Sequence, residues 1–77
     1  MNSAEIQREI ILALSRDTGS GLDRFQIAAS IGQAEFRVGA ELKALKREQL
    51  ADEAGKLWRL TARGYERADD RDPPGPG

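Results

Sequence analysis

Residues 22–32 carry start and stop signals for an α-helix of only about eight residues. Asp23 is a favourable N-cap, and Gln26, three residues later, completes a capping box. Gly32 follows the last apolar position and favours the left-handed conformation in which many helices end. Such a short helix is unstable in water without tertiary packing. The segment therefore predicts a fold in which short helices are held together by a shared core.

Two longer helices flank this segment. The first is predicted over about residues 3–15, with Asn2 as its N-cap and apolar side chains at helical spacing. The other is predicted over residues 34–49. The apolar seam of this second long helix consists of Val38, Leu42 and Leu45, and a helical projection places Gln49 on the same, buried side.

A β-hairpin and a short helix complete the domain. Gly55 marks a turn, and Trp58 and Leu60 then alternate with their neighbours as in a half-buried strand, which predicts that Trp58 lies in the core. Thr61 can cap a last helix over residues 62–68. Its inward-facing side chains are expected to be Tyr65 and Ala68.

Residues 69–77 differ in composition from the rest of the chain. They hold all three prolines and no apolar anchor, which predicts a disordered acidic tail after a single domain over residues 1–68. That domain carries 11 basic and 10 acidic side chains, and residues 33–67 carry 8 basic and 6 acidic ones. This mildly basic C-terminal half is compatible with an anionic partner.

The chain contains neither cysteine nor histidine. Disulfides and cysteine-based metal sites are therefore excluded, and the commonest general base and metal ligand is missing. The longest apolar run, residues 10–14, is far shorter than the roughly 20 residues that span a bilayer, and the first residues lack the features of a secretory signal. We expect a cytoplasmic binding protein without enzymatic activity, cofactor or metal.

Two segments at a characteristic separation carry a resemblance to a known family. The first is Ile27-Ala28-x-x-Ile31-Gly32 with the seam that follows it, and the second is Leu60-Thr61-Ala62-Arg63-Gly64-Tyr65. Together they resemble the winged helix-turn-helix domain of bacterial and archaeal transcription regulators, where an LT-x-x-G segment often closes the wing in MarR-like and PadR-like members. The resemblance covers about residues 4–68. It implies an α+β fold of three helices, a two-stranded wing and a short C-terminal helix.

The resemblance also implies a function and a DNA-facing surface. Helix 34–49 would enter the major groove of double-stranded DNA, and the wing at residues 54–57 would approach the backbone. A helical projection places an aromatic, several small and several basic side chains opposite the apolar seam, where they suit base edges, thymine methyls and phosphates. The predicted DNA-contacting residues are Phe36, Arg37, Ala40, Lys43, Arg47, Lys56 and Arg59.

The expected function is therefore sequence-specific DNA binding in transcriptional regulation, with a homodimer on a two-fold site as the expected assembly. Three alternatives stay open. The basic side chains can form an ordinary solvated helix face, and Phe36 can belong to the core if the helix is rotated. A face made of Phe36, Ala40 and Ala44 can instead dock a protein, an alternative that Glu35 and the overall acidity favour.

Overall fold

The computed structural model describes residues 2–17 and 19–70, which contain four helices and two strands. In chain order they are α1 (Ser3–Arg16), α2 (Arg24–Ile31), α3 (Glu35–Arg47), β1 (Ala51–Ala54), β2 (Leu57–Leu60) and α4 (Ala62–Asp70). The predicted α+β class and the order of the elements are confirmed. Helix α4 continues to Asp70, past the predicted domain end at Ala68. The rest of the predicted tail, 71–77, lies outside the described residues.

Helix α2 begins and ends at its predicted signals. The Asp23 carboxylate accepts a hydrogen bond from the Gln26 backbone N–H at 2.8 Å, and the Asp23 N–H donates to the Gln26 side chain at 3.0 Å. Gly32 closes the helix with a φ of 70°. Ile27 and Ala28 are buried, so this short helix is stabilised by the core that it helps to form.

The core lies between α1, α2, α3 and the hairpin. Trp58 is 5% exposed, which confirms its predicted core position, whereas Tyr65 is 41% exposed and its predicted inward placement is wrong. The reason is that Gly64, the residue before Tyr65, is the buried position of this turn of α4, and successive helix residues point in different directions. The buried hydrophobic cluster comprises Ile6, Ile10, Ile11, Leu14, Ile27, Ala28, Val38, Leu42, Leu45, Leu50, Ala51, Trp58 and Leu60.

Helix α3 is shorter at both ends than its predicted range of 34–49. Ala34 has extended backbone angles, φ −66° and ψ 140°, and occupies the N-cap position. At the other end, Gln49 adopts a φ of 63°, its N–H donates to the Lys46 carbonyl at 3.0 Å, and the Leu50 N–H donates to the Leu45 carbonyl at 2.9 Å. These two bonds form a Schellman motif that turns the chain back towards the core. The projected placement of Gln49 on the buried side is therefore wrong, since the helix has already ended.

The hairpin forms the wing and is held to the helical part of the molecule. Strands β1 and β2 pair in antiparallel register from Ala51↔Leu60 to Ala54↔Leu57. Outside the hairpin, the Leu22 N–H donates to the Trp58 carbonyl at 3.1 Å and the Trp58 N–H donates to the Leu22 carbonyl at 2.7 Å. This isolated bridge joins the wing to the segment that enters α2.

The Leu60-Thr61-x-x-Gly64 segment joins the wing, α4 and the end of α3. The Thr61 hydroxyl donates to the Gln49 carbonyl at 2.6 Å and accepts from the Gly64 N–H at 3.0 Å, while the Thr61 N–H donates to the Leu50 carbonyl at 3.1 Å. Gly64 lies directly against that carbonyl, so that a Cβ at this position would overlap the Leu50 oxygen. The spacing of the motif thus has a packing reason.

Candidate nucleic-acid interface

Helix α3 presents the outward face that its projection predicted. Val38, Leu42 and Leu45 are completely buried, while the Phe36 side chain is 77% exposed. The alternative in which Phe36 belongs to the core is therefore wrong. The predicted contact residues Ala40, Lys43 and Arg47 are also exposed.

Arg37 lies on the flank of this face, where it is already engaged. Its Nε is 3.7 Å from Oε2 of Glu41, one turn further along α3. Glu41 is only 7% exposed and accepts a hydrogen bond from the Gln7 side chain of α1 at 2.8 Å. Arg37 is thus partly held at the α1–α3 contact. Sequence reasoning missed Glu41, although its spacing of three residues from Val38 indicates that it borders the buried side of α3.

The hydrogen bond from Gln7 lowers the pKa of Glu41; burial opposes this shift, and Ser3 and the positive charge of Arg37 reinforce it. Because the pKa is lower in the folded state, ionised Glu41 stabilises the fold above the ordinary pKa of 4.5, and this contribution is lost as the pH falls through the lowered value.

We expect Glu41→Gln to flatten the decline in unfolding free energy on acidification below about pH 5. Urea denaturation at several pH values measures this, with Glu66→Gln, an exposed glutamate on α4, as the control. Equal pH slopes for wild type and Glu41→Gln would contradict the expectation.

Lys43 and the wing residue Lys56 meet in one cleft. This cleft has a volume of about 470 Å³ and lies between the start of α2, the middle of α3 and the tip of the wing. Its remaining lining residues are Asp23, Arg24, Phe25, Gly39, Glu53, Gly55 and Trp58. An ion pair between Lys46 and Glu53, with Nζ and Oε1 3.6 Å apart, also connects α3 to the wing. Two predicted contact residues are therefore brought together by the tertiary structure.

The other basic contact residues lie apart from this cleft. Arg47 borders a shallow depression at the end of α3, together with Arg63 and Arg67. Arg59 is exposed on β2, where its side chain passes close to Gly21. Over residues 2–17 and 19–70, neither Lys43 nor Arg47 forms an ion pair. Both side chains are thus available to an anionic partner.

Arg24 and Phe25 are cleft residues that sequence reasoning did not assign to the site. Phe25 is 61% exposed, and the Arg24 guanidinium lies over its ring, 5.3 Å from the centroid. Arg24 also forms an ion pair with Glu35 at the start of α3. The available signal was an exposed basic and aromatic pair in the first turn of α2, but only the fold brings that turn beside α3.

Gly39 is not required by the packing of α3. A Cβ at this position would meet only the Arg24 side chain, with Cδ at 3.7 Å and Nη1 at 3.8 Å, which are ordinary contact distances. Because glycine destabilises a helix interior, we expect Gly39→Ala to raise the free energy of unfolding by about 1 kcal/mol. Thermal and urea denaturation measure this change, and a destabilised variant would contradict the expectation.

The order of elements and their packing define a winged helix-turn-helix domain. The structure is similar to MepR, a transcription regulator of the Staphylococcus aureus multidrug efflux pump MepA, with a TM-score of 0.78 and 23% identity over 83% of this chain and 50% of MepR. It is also similar to the transcriptional repressor CouR, solved bound to p-coumaroyl-CoA, with a TM-score of 0.71 and 22% identity over 84% of this chain and 47% of CouR. The chain thus spans about half the length of these two regulators.

A further likeness is to a region of a much longer protein. An O-methyltransferase family protein from Burkholderia thailandensis matches 78% of this chain but only 18% of its own length, with a TM-score of 0.59 and 31% identity. Only the winged-helix region is shared. No protein-family model and no curated protein matches the sequence.

Residues 2–17 and 19–70 contain no cluster of three acidic residues able to hold a metal ion. None of the helices in the same range is long and apolar enough to cross a membrane.

Proposed function

We propose that this domain binds double-stranded DNA sequence-specifically as a transcriptional regulator. Helix α3 occupies the major groove, and the wing around residues 54–57 follows the backbone. The proposed contact residues are those of the outward face and wing: Phe36, Arg37, Ala40, Lys43, Arg47, Lys56 and Arg59. Such a function implies the cytoplasm as the place of action.

The observation that carries the proposal is the pair Lys43 and Lys56. One comes from the middle of α3 and the other from the wing turn, yet both line the same cleft. A phosphate backbone that passes between a helix in the groove and a wing meets cations from both elements. The exposed Phe36 and the small side chain of Ala40 complete the face with apolar groups suited to thymine methyls. The likeness to MepR, a transcription regulator, and to CouR, a transcriptional repressor, supports the same conclusion.

The test is the binding of a labelled duplex of random sequence, measured by fluorescence anisotropy at a low and a moderate salt concentration. If about three phosphates are contacted, a rise from about 50 to 200 mM salt should weaken binding by roughly 40-fold. Amide shifts in a parallel NMR titration should map to α3 and the wing. Absence of binding at low salt, or shifts confined to α1 and α4, would refute the proposal.

A protein-docking role is the competing function. It uses Phe36, Ala40 and Ala44, and the 77% exposure of the Phe36 side chain is the observation in its favour. The two functions differ in their response to salt, since apolar docking is nearly indifferent to it. Phe36→Ser should abolish protein docking. It should weaken binding to a non-specific duplex less than the loss of one basic side chain of the face does.

We also propose that the DNA-bound form is a homodimer. A single small domain contacts a short site, and two copies on a two-fold site multiply affinity and specificity. Helix α1 or α4 supplies the contact in this proposal, and a groove of about 630 Å³ runs between them. Sedimentation equilibrium at tens of micromolar protein, with and without duplex, tests this assembly, and a strict monomer in both conditions would contradict it.

A further inference from the structure

Arg24 lies across the outward face of α3 in the free protein. Its Nε forms an ion pair with Oε1 of Glu35, and its guanidinium covers the Phe25 ring. The side chain also passes beside Gly39, where a Cβ would make ordinary contact with Arg24 Cδ at 3.7 Å and Nη1 at 3.8 Å. Glu35 and Phe25 thus hold one cation over the middle of the face proposed to meet DNA.

Two features of the cleft suit the binding of a phosphate by Arg24: the neighbouring cations and the carboxylate that a phosphate would replace. Arg24 shares its cleft with Lys43 and Lys56, which form no ion pair within the described residues. Its own carboxylate partner, Glu35, has the planar pair of oxygens to which guanidinium binds best, as it also binds phosphate. Glu35 therefore competes with a phosphate for the same cation.

The ion pair is weak enough to be exchanged. The side chain of Arg24 is 51% exposed and that of Glu35 is 33% exposed. Exposed pairs of this kind contribute little to stability and are screened by salt. A DNA phosphate in the cleft would meet Lys43 and Lys56 as well as Arg24, although the carboxylates of Asp23 and Glu53 also line it, whereas Glu35 offers Arg24 one partly exposed carboxylate.

We propose that Arg24 is a further DNA-contacting residue and that Glu35 occupies its guanidinium until a duplex binds, an inference that rests on the proposed function. Arg24 then exchanges the Glu35 carboxylate for a DNA phosphate in the cleft with Lys43 and Lys56. Gly39 allows this movement because no side chain blocks the path of the guanidinium over α3. Glu35 thereby lowers affinity for all duplexes, since every binding event must first break its pair with Arg24.

The test compares duplex binding by Glu35→Gln, Arg24→Gln and the double variant. Glu53→Gln is the matched control, because Glu53 is also partly exposed, at 39%, and also forms one ion pair with a cation. Glu35→Gln should bind about three- to tenfold more tightly than wild type at low salt. Arg24→Gln should bind the duplex more weakly than wild type. When Glu35→Gln is added to Arg24→Gln, the affinity for the duplex should rise by no more than it does for the Glu53→Gln control.

A second measurement examines the ion pair without DNA. The Arg24 Nε–H resonance of the free protein should shift on Glu35→Gln, and the wild-type resonance should shift on addition of duplex. The inference would be overturned if Glu35→Gln raised the affinity for the duplex equally with and without Arg24. It would also be overturned if Glu35→Gln raised the affinity only as much as Glu53→Gln does, because Glu35 would then act only through its general negative charge. In that case wild-type binding leaves the proposed function intact. If wild type binds no duplex, the proposed function itself fails.

Discussion

Gly64→Ala should destabilise the domain by about 3 kcal/mol, although the same change in an unobstructed helix interior is stabilising. The added Cβ would overlap the Leu50 carbonyl oxygen and approach Leu60 Cδ2 to 2.9 Å. That carbonyl cannot turn away freely, because it accepts the Thr61 N–H at 3.1 Å. Helix α4 must therefore move outward, which breaks the bonds between Thr61 and its partners. For a domain of this size the melting temperature should fall by about 15 °C.

Thermal and urea denaturation of two alanine variants make this prediction sharp. Gly39→Ala is the matched control, because it introduces the same methyl group into another helix where the nearest side-chain atom is 3.7 Å away. Helix propensity alone predicts that both changes stabilise the protein. The structure predicts opposite signs. A Gly64→Ala variant as stable as wild type would show that α4 is not packed against the end of α3 as described.

Lys43→Glu combined with Arg47→Glu should weaken binding to a random-sequence duplex on the order of 100-fold at low salt. Both side chains are exposed and form no ion pair in the part of the chain that the structure describes, so the change breaks no ion pair of the fold. Reversal of their charges removes attraction to phosphates and adds repulsion. Fluorescence anisotropy measures the affinity, and circular dichroism and urea denaturation verify that the variant remains folded.

The control for this variant changes the same total charge elsewhere. Arg8→Glu with Arg16→Glu places both reversals on α1, at exposed positions outside the outward face of α3. Because Arg8 lines the groove between α1 and α4 that is proposed for the dimer contact, sedimentation equilibrium must verify that the assembly of this control matches that of wild type. This control should weaken binding only several-fold at most, through the more negative net charge. Equal losses in the two double variants would mean that α3 does not form the DNA-contacting surface.

Much of the α3 face was predictable because an apolar seam of three residues defines the rotation of a helix. The seam correctly placed Phe36, Lys43 and Arg47 on the outside. The same projection failed for Gln49, since a periodicity argument continues past the point where the chain leaves the helix. The Schellman motif that ends α3 contains glutamine rather than glycine at its left-handed position, and the usual sequence signal was therefore missing.

The charged contacts of the site were less predictable. Arg37 was predicted to contact DNA, and only the structure shows that the buried Glu41 lies 3.7 Å from it. Arg24 was not expected at the site at all, although it lines the cleft that contains Lys43. Spacing along one helix predicts which side of that helix a residue occupies. It says nothing about which side chains arrive from another element.

The sequence by itself determined the short α2 helix and the buried side of α3. Capping at Asp23, termination at Gly32 and the repeat of aliphatic residues act within a few residues of chain, so they can be recognised without coordinates. Only the tertiary structure decided which cations of residues 2–17 and 19–70 form ion pairs and which glycine is packed directly against a backbone carbonyl. Those properties depend on distances between segments that are remote in sequence, such as Arg24 and Glu35 or Leu50 and Gly64, and only the packed core brings these segments together.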